Sequence, residues 1–252
     1  MEGDFNNLIK TGSQRAWSDD LESQRNFCKV IAQARRMQSV DFQKYGAFFL
    51  PNDDYLANYC GGAIRSPEYY CYTQNGECIW NNNLIFPIAN AGGTVVGLGG
   101  FNPLHYIEAH EKNDWSIIYY QYSNKNLFQK GNYIYTPGCS FREVLERGYI
   151  CIVDGLFDAI SLKEAGFCAG CLMGSSVTDE IVAQLRLIRK VVIIADNDEA
   201  GIKLQKTILR RVPHSLIFRQ GVDKDIDGAL KSAKSGEIKM QLQSLINANN
   251  PF

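Results

Sequence analysis

Apolar and polar positions follow two different rhythms along this chain. From about Ser13 to Asp54 the rhythm is helical: in SDDLESQRNFCKVIAQARRM the residues Leu21, Phe27, Val30, Ile31 and Ala34 fall on approximately one face. SVDFQKYG follows as a capped second helix. From Tyr55 to Tyr135 the period shortens and the composition becomes aromatic and rich in Gly and Asn. LIFPIAN, GTVVGLGGF, SIIYYQY and GNYIYT read as strands joined by turn signals such as NAGG, predicting a curved, mostly antiparallel sheet with a few helices.

After Pro137 and Gly138 the pattern changes again. FREVLERG is a short helix, and strand-like runs then alternate with helical ones. YICIVDG precedes LFDAISLKEAG, CAGCLMG precedes TDEIVAQLRLIRK, VVIIADND precedes EAGIKLQKTILRRV, and HSLIFRQG precedes DGALKSA. Such alternation predicts a right-handed parallel α/β sheet, with EIKMQLQSLINANNPF as a final helix. The expected class is α+β: a mixed helix and antiparallel-sheet subdomain over residues 1–138, then a Rossmann-like α/β subdomain over 139–252.

Composition narrows the function classes. The 252 residues, 45% of them hydrophobic, supply ample core for one large domain or two modest ones. Lys and Arg number 26 against 27 Asp and Glu, a formal net charge of -1, so any nucleic-acid contact must come from a local basic face. No apolar run spans a bilayer and MEGDFNNLIK lacks a signal-peptide pattern, which predicts a cytoplasmic protein without a membrane partner. The eight cysteines (28, 60, 71, 78, 139, 151, 168 and 171) fit reduced thiols, mostly core filler. Cys168 and Cys171 form a C-x-x-C pair with no second pair to complete a zinc site, and the spacing of Cys60, Cys71 and Cys78 matches no zinc motif, so no zinc is expected.

The chemistry concentrates between Ile150 and Leu230. Asp154 with Asp158, Asp196 with Asp198, and Asp223, Asp225 and Asp227 are three acidic groups placed at expected strand ends. In a parallel sheet they gather at its C-terminal edge, where clustered carboxylates imply a divalent cation. Each has a plainer role as a helix N-cap, which Asp favours. For Asp154 the two roles balance. Capping could account for Asp196 with Asp198, but not for all three groups together. Thr178 reads as a helix cap. The three histidines are scattered, and no Ser, Cys or Tyr is flanked as a nucleophile would be.

On these residues, the segment from Tyr149 to Leu230 resembles a Toprim domain, the module shared by primases, topoisomerases and some nucleases. That pattern has an acid at a strand end, a second acid four residues on, a D-x-D and further acids, here Asp154 with Asp158, Asp196 with Asp198, and Asp225 with Asp227. LIFPIANAGGTVVGLGGF, then QYSNKNLFQKG, then IVDGLFDAISLKEAGF resemble in order and spacing the polymerase core of bacterial DnaG-type primases, and AQARRMQSVDFQKYG is similar to the family's segment in which an Arg precedes a short helix, so that the likeness runs from about residue 25 to 235.

The resemblance implies a nucleotidyltransferase that makes short RNA primers on single-stranded DNA from ribonucleoside triphosphates, with Mg2+ or Mn2+ as cofactor. It implies catalytic roles for Asp154, Asp158, Asp196 and Asp198, metal binding by Asp154, Asp196, Asp198, Asp225 and Asp227, and nucleotide or DNA contacts from Arg35, Arg36, Asn124 and Lys130 facing the same cleft. Three positions depart from the family. Asp154 replaces Glu, Phe101 stands where a basic residue is expected after the GG, and Gln121 where a Lys is expected. The family's zinc-binding and helicase-binding domains do not fit in this length. A replicative helicase or a separate zinc-binding, template-recognition protein is therefore the expected partner, and a phage, plasmid or other mobile element the expected source, with the host cytoplasm as location. The alternatives are a catalytically degenerate replication accessory protein with the same fold and, further off, a Toprim nuclease.

Overall fold

The computed structural model describes residues 2–35, 37, 40–51, 79–123, 128–173, 176–221 and 225–248. The chain divides into two compact units, residues 1–90 with 94–128, and residues 91–93 with 129–252. The strand pattern put the division after 138. Residues 129–138 go with the second unit because their polar groups are satisfied there: Tyr135 forms an antiparallel bridge with Cys171, the Thr178 hydroxyl donates to the Gly131 carbonyl at 2.9 Å, and Gln184 Nε2 donates to the Asn132 carbonyl at 3.2 Å.

In the first unit, helices α1 (Glu2–Asp19) and α2 (Leu21–Arg35) lead to a 3-10 turn over Phe42–Tyr45, capped by the Asp41 side chain and ended by Gly46 at φ 68. A fully antiparallel sheet follows in the order β1 (Phe48–Leu50), β2 (Asn83–Ala89), β3 (Val95–Phe101), β4 (Tyr120–Tyr122). Between β3 and β4 lies α3 (Pro103–Lys112), started by the Asn102 side chain, which accepts from the Leu104 and His105 amides, and by Pro103 in the first turn.

Three sequence expectations change here. Helix begins at Glu2, well before Ser13, and residues 48–50 are strand where a helical reading ran to Asp54. The buried face of α2 is Gln24, Phe27 and Ile31, while Leu21 is 39% exposed. Gln24 explains both: its Nε2 donates to the Phe49 carbonyl at 3.0 Å and its Oε1 accepts from the Phe49 amide at 2.8 Å, so a helix side chain completes the ladder of an edge strand. Trp17 Nε1 and Ser13 Oγ anchor α1 by donating to the Ala47 and Gly46 carbonyls, each at 2.8 Å. Finally, GNYIYT is no strand of this sheet; it supplies a 3-10 turn over Lys130–Asn132 and the single bridge at Tyr135.

In the second unit, α4 (Phe141–Arg147) opens with a capping box between Ser140 and Glu143. Then come β5 (Tyr149–Val153), α5 (Leu156–Glu164), β6 (Ala169–Cys171), α6 (Asp179–Arg186), β7 (Lys190–Ile193), α7 (Glu199–Arg211), β8 (Ser215–Ile217), α8 (Ile226–Lys231) and α9 (Ser235–Asn247). The strands pair in parallel in the order β6-β5-β7-β8, as the α/β alternation predicted. Ile150, Ile152, Val191 and Ile193 form a core with Ile181 and Leu185 of α6 and Leu204 and Ile208 of α7. The chain leaves β5 toward β6 on one side and returns to β7 on the other, so the strand order reverses between β5 and β7. In open α/β sheets, the crevice beyond the carboxyl ends of two such strands is where ligands bind. Among the described residues no helix is long and apolar enough to cross a membrane.

Candidate metal centre

Asp154 is the first residue beyond β5. It does not cap α5: Gly155 occupies the N-cap position and no side chain bonds the helix start. Burial pushes the Asp154 carboxyl above its usual range. The backbone N–H groups of Asp154 and Gly155 oppose this, and the Asp198 and Asp225 carboxylates add to it. Asp158, in the first turn of α5, is buried and reaches back over Gly155, where an added Cβ would meet its Oδ2 at 2.1 Å. Its Oδ1 accepts from the Asp227 amide at 3.1 Å.

Asp196 follows β7, whose extension Ile194 still donates to the Ile152 carbonyl at 2.8 Å. Helix α7 closes tightly on this turn. A Cβ on Gly201 would come 2.2 Å from the Asp196 carbonyl oxygen, a backbone atom that cannot swing away, so only glycine allows the approach. Asp154, Asp158 and Asp196 each bring a carboxylate oxygen within 4.8 Å of the others. At an effective dielectric near 20, two ionised groups at such a distance repel by about 3 kcal/mol. Three oxygen donors, with no nitrogen or sulfur among them, suit a hard divalent cation such as Mg2+ or Mn2+.

The other acids divide differently from the sequence expectation. Asp198 caps α7 by accepting from the Gly201 amide at 2.8 Å, and Asp225 caps α8 by accepting from the Gly228 amide at 2.7 Å. Asp227 is buried, takes a hydrogen bond from the Ser161 hydroxyl and pairs with Lys231 Nζ at 2.5 Å. Asp223 lies outside the described residues. The structure therefore brings Asp158 to the cluster, although the expected metal set omitted it. The signal was its four-residue spacing from Asp154 across a glycine.

Of the expected nucleotide contacts, Arg35 ends α2 in the first unit, its guanidinium carbon 5.1 Å from the centre of the Tyr106 ring. Arg36 and Asn124 lie outside the described residues. Lys130 is an exposed residue of the second unit, but desolvation around its ammonium lowers its pKa, with Cys171 pulling the other way. Cys171 was expected only as a core thiol. Its Sγ donates to the Asp154 carbonyl at 3.1 Å, so it buttresses the strand tip that carries the acid. Cys168, the other half of the C-x-x-C pair, has its Sγ 3.8 Å from that of Cys139.

Residues 151–230, which include all three clustered carboxylates, match the Toprim-like family. That matched segment is the part of the α/β unit that carries the acids at the sheet's carboxyl edge. The DNA primase of Rickettsia felis is 28% identical over 134 residues, covering 52% of this chain and 21% of that protein; the chain spans about a fifth of the length of the curated relatives it matches. The RNA polymerase domain of Mycobacterium tuberculosis primase DnaG superposes with a TM-score of 0.70 at 17% identity, covering 93% of this chain and 82% of that one. A DnaG primase catalytic domain bound to single-stranded DNA gives 0.68 at 17%, covering 95% and 81%. The fold is that of the DnaG-type primase catalytic core with its Toprim domain.

Proposed function

We propose that this chain is a primase core that joins ribonucleotides into short primers on a single-stranded DNA template. The observation that carries this reading is the cluster of Asp154, Asp158 and Asp196 at the switch point of a sheet with the DnaG fold. A divalent cation held there would supply neutralisation of the triphosphate and activation of the attacking hydroxyl. Mg2+ is the expected ion, with Mn2+ able to replace it.

The protein's share is positioning. Asp154, Asp158 and Asp196 would hold the cation. Asp198, with one oxygen spent on capping, keeps a second oxygen toward the same edge, and Asp225 stands close enough to raise the Asp154 pKa. Lys130, whose ammonium is partly desolvated, would meet the triphosphate. Arg35, Arg36 and Asn124 would contact the template or triphosphate backbone, a mode of binding indifferent to sequence. Single-stranded DNA as template is supported by the DnaG domain solved with that ligand. A replicative helicase or a separate zinc-binding protein as partner rests on the family's organisation alone.

One observation favours a second reading, a degenerate accessory protein that binds DNA without synthesis. Phe101, where the family carries a basic residue, is fully buried and packs on Tyr106 and Tyr120, so that position serves the core. Incorporation of labelled ribonucleotides on a mixed single-stranded template, with Mg2+ and then Mn2+, separates the readings. Template-dependent product that vanishes in Asp196→Ala supports the primase. DNA binding without product favours the accessory protein, and loss of template points to a nuclease.

A further inference from the structure

The opposite edge of the parallel sheet holds a second site. A pocket of about 630 Å3 opens where the strands begin. Tyr149 and Lys190 are the first residues of β5 and β7, and His214 immediately precedes β8. Arg147 ends α4, Arg189 comes from the turn leading into β7, and Gln243 of α9 lines one side. Four of the lining side chains are basic, and none of the lining residues is acidic.

Not all of that charge is spare. Lys190, only 9% exposed, donates through Nζ to the Ile246 and Ala248 carbonyls at 2.5 Å each, which satisfies the end of α9. Arg147 and Arg189 have no comparable task, since neither side chain makes a hydrogen bond or ion pair with the described residues. The Arg189 guanidinium lies against Gly148, where an added Cβ would come within 3.3 Å of its Nε, so it is laid along the pocket wall. His214 Nε2 is buried with no hydrogen-bond partner among the described residues, an arrangement that costs stability unless a ligand or water completes it. The Tyr149 hydroxyl accepts from the Cys168 amide at 3.2 Å and keeps its own O–H as a donor.

We propose that this pocket binds a small polyphosphate anion, of the nucleoside di- or triphosphate class, apart from the carboxylate edge. Guanidinium forks match phosphate oxygens in pairs. The volume is that of a small-molecule site. The five residues of β5, Tyr149–Val153, set the two sites roughly 16 Å apart at the rise of a strand. The site is therefore separate from the proposed catalytic one and does not depend on it.

The test is calorimetric titration of the full chain with pyrophosphate in the presence of a chelator, so that no cation can bridge ligand to carboxylates. Saturable one-to-one binding is expected, weakened by about tenfold or more when Arg147→Ala and Arg189→Ala are combined, and unchanged in Asp196→Ala. Lys190 is left intact because it caps α9, and the thermal transition of the double variant checks that it folds. Absence of binding at millimolar pyrophosphate, equal binding by the folded double variant, or loss of binding in Asp196→Ala would each overturn the proposal. Oligothymidylate displacing pyrophosphate more tightly than ADP does would make the occupant nucleic acid, and would overturn it too.

Discussion

The two edges of one four-stranded sheet carry opposite charge. Beyond the carboxyl ends of β5 and β7 stand Asp154, Asp158 and Asp196 within 4.8 Å; at their amino ends stand Arg147, Arg189 and Lys190. Both arrangements put like charges together, but their support differs. The carboxylates are held by backbone geometry, with Gly155 and Gly201 admitting Asp158 and the Asp196 turn respectively. The cations are held by side chains that could move apart, except Lys190. Like charges kept together by rigid backbone are a strong indication of a counter-ion, because repulsion would otherwise disperse them.

The largest expected effect separates the edges by function. Asp196→Ala should reduce cation-dependent synthesis by at least about a hundredfold and leave pyrophosphate binding at the other edge intact, as read by primer extension and calorimetry on one preparation. Next comes the rigidity of the carboxylate edge. Gly201→Ala forces a Cβ onto the Asp196 carbonyl and should cost about 3 kcal/mol by urea unfolding; a variant as stable as the parent would mean that α7 can retreat, and the cluster with it.

Smaller effects should sort the acids by sign. Asp198→Ala and Asp225→Ala each remove a helix cap and should destabilise the metal-free protein by about 1 kcal/mol. Asp154→Asn should stabilise it, because it relieves a buried charge. Matching signs for the three variants in thermal melts would erase the distinction between capping and clustered acids.

The smallest effect concerns pH. Because burial raises the folded-state pKa of Asp154, its contribution favours the metal-free fold fully below the unfolded carboxylate range and is lost as pH rises through the raised value. The melting temperature in chelator should fall across that window, and Asp154→Asn should flatten the fall. Cation affinity should run the opposite way, since binding needs the carboxylate charged.

The second unit was legible because its signals reinforce one another: short apolar runs such as YICIV and KVVI sit between helical segments, and α6, α7 and α8 each start on a side-chain cap, Thr178, Asp198 and Asp225. The first unit was less so. β1 owes its place to the amide of Gln24, a polar residue that no hydrophobic pattern marks as buried. Aromatic alternation made GNYIYT look like a strand, yet only one of its residues bridges.

At the site, residue type and strand ends located the acids, and the Toprim-like match falls on the same segment. Which acids cap and which cluster was not legible. That choice depends on where Gly155, Gly201 and Gly228 bring helix starts against side chains, a matter of ångströms in three dimensions.

Mn2+ binding followed by electron paramagnetic resonance tests the central claim most directly. The account predicts that the wild-type chain removes free-ion signal at a saturable site, that Asp154→Ala and Asp196→Ala abolish this, and that Asp198→Ala keeps a weakened form of it. Undiminished binding in Asp196→Ala, or complete loss in Asp198→Ala alone, would contradict the assignment of the cation to Asp154, Asp158 and Asp196.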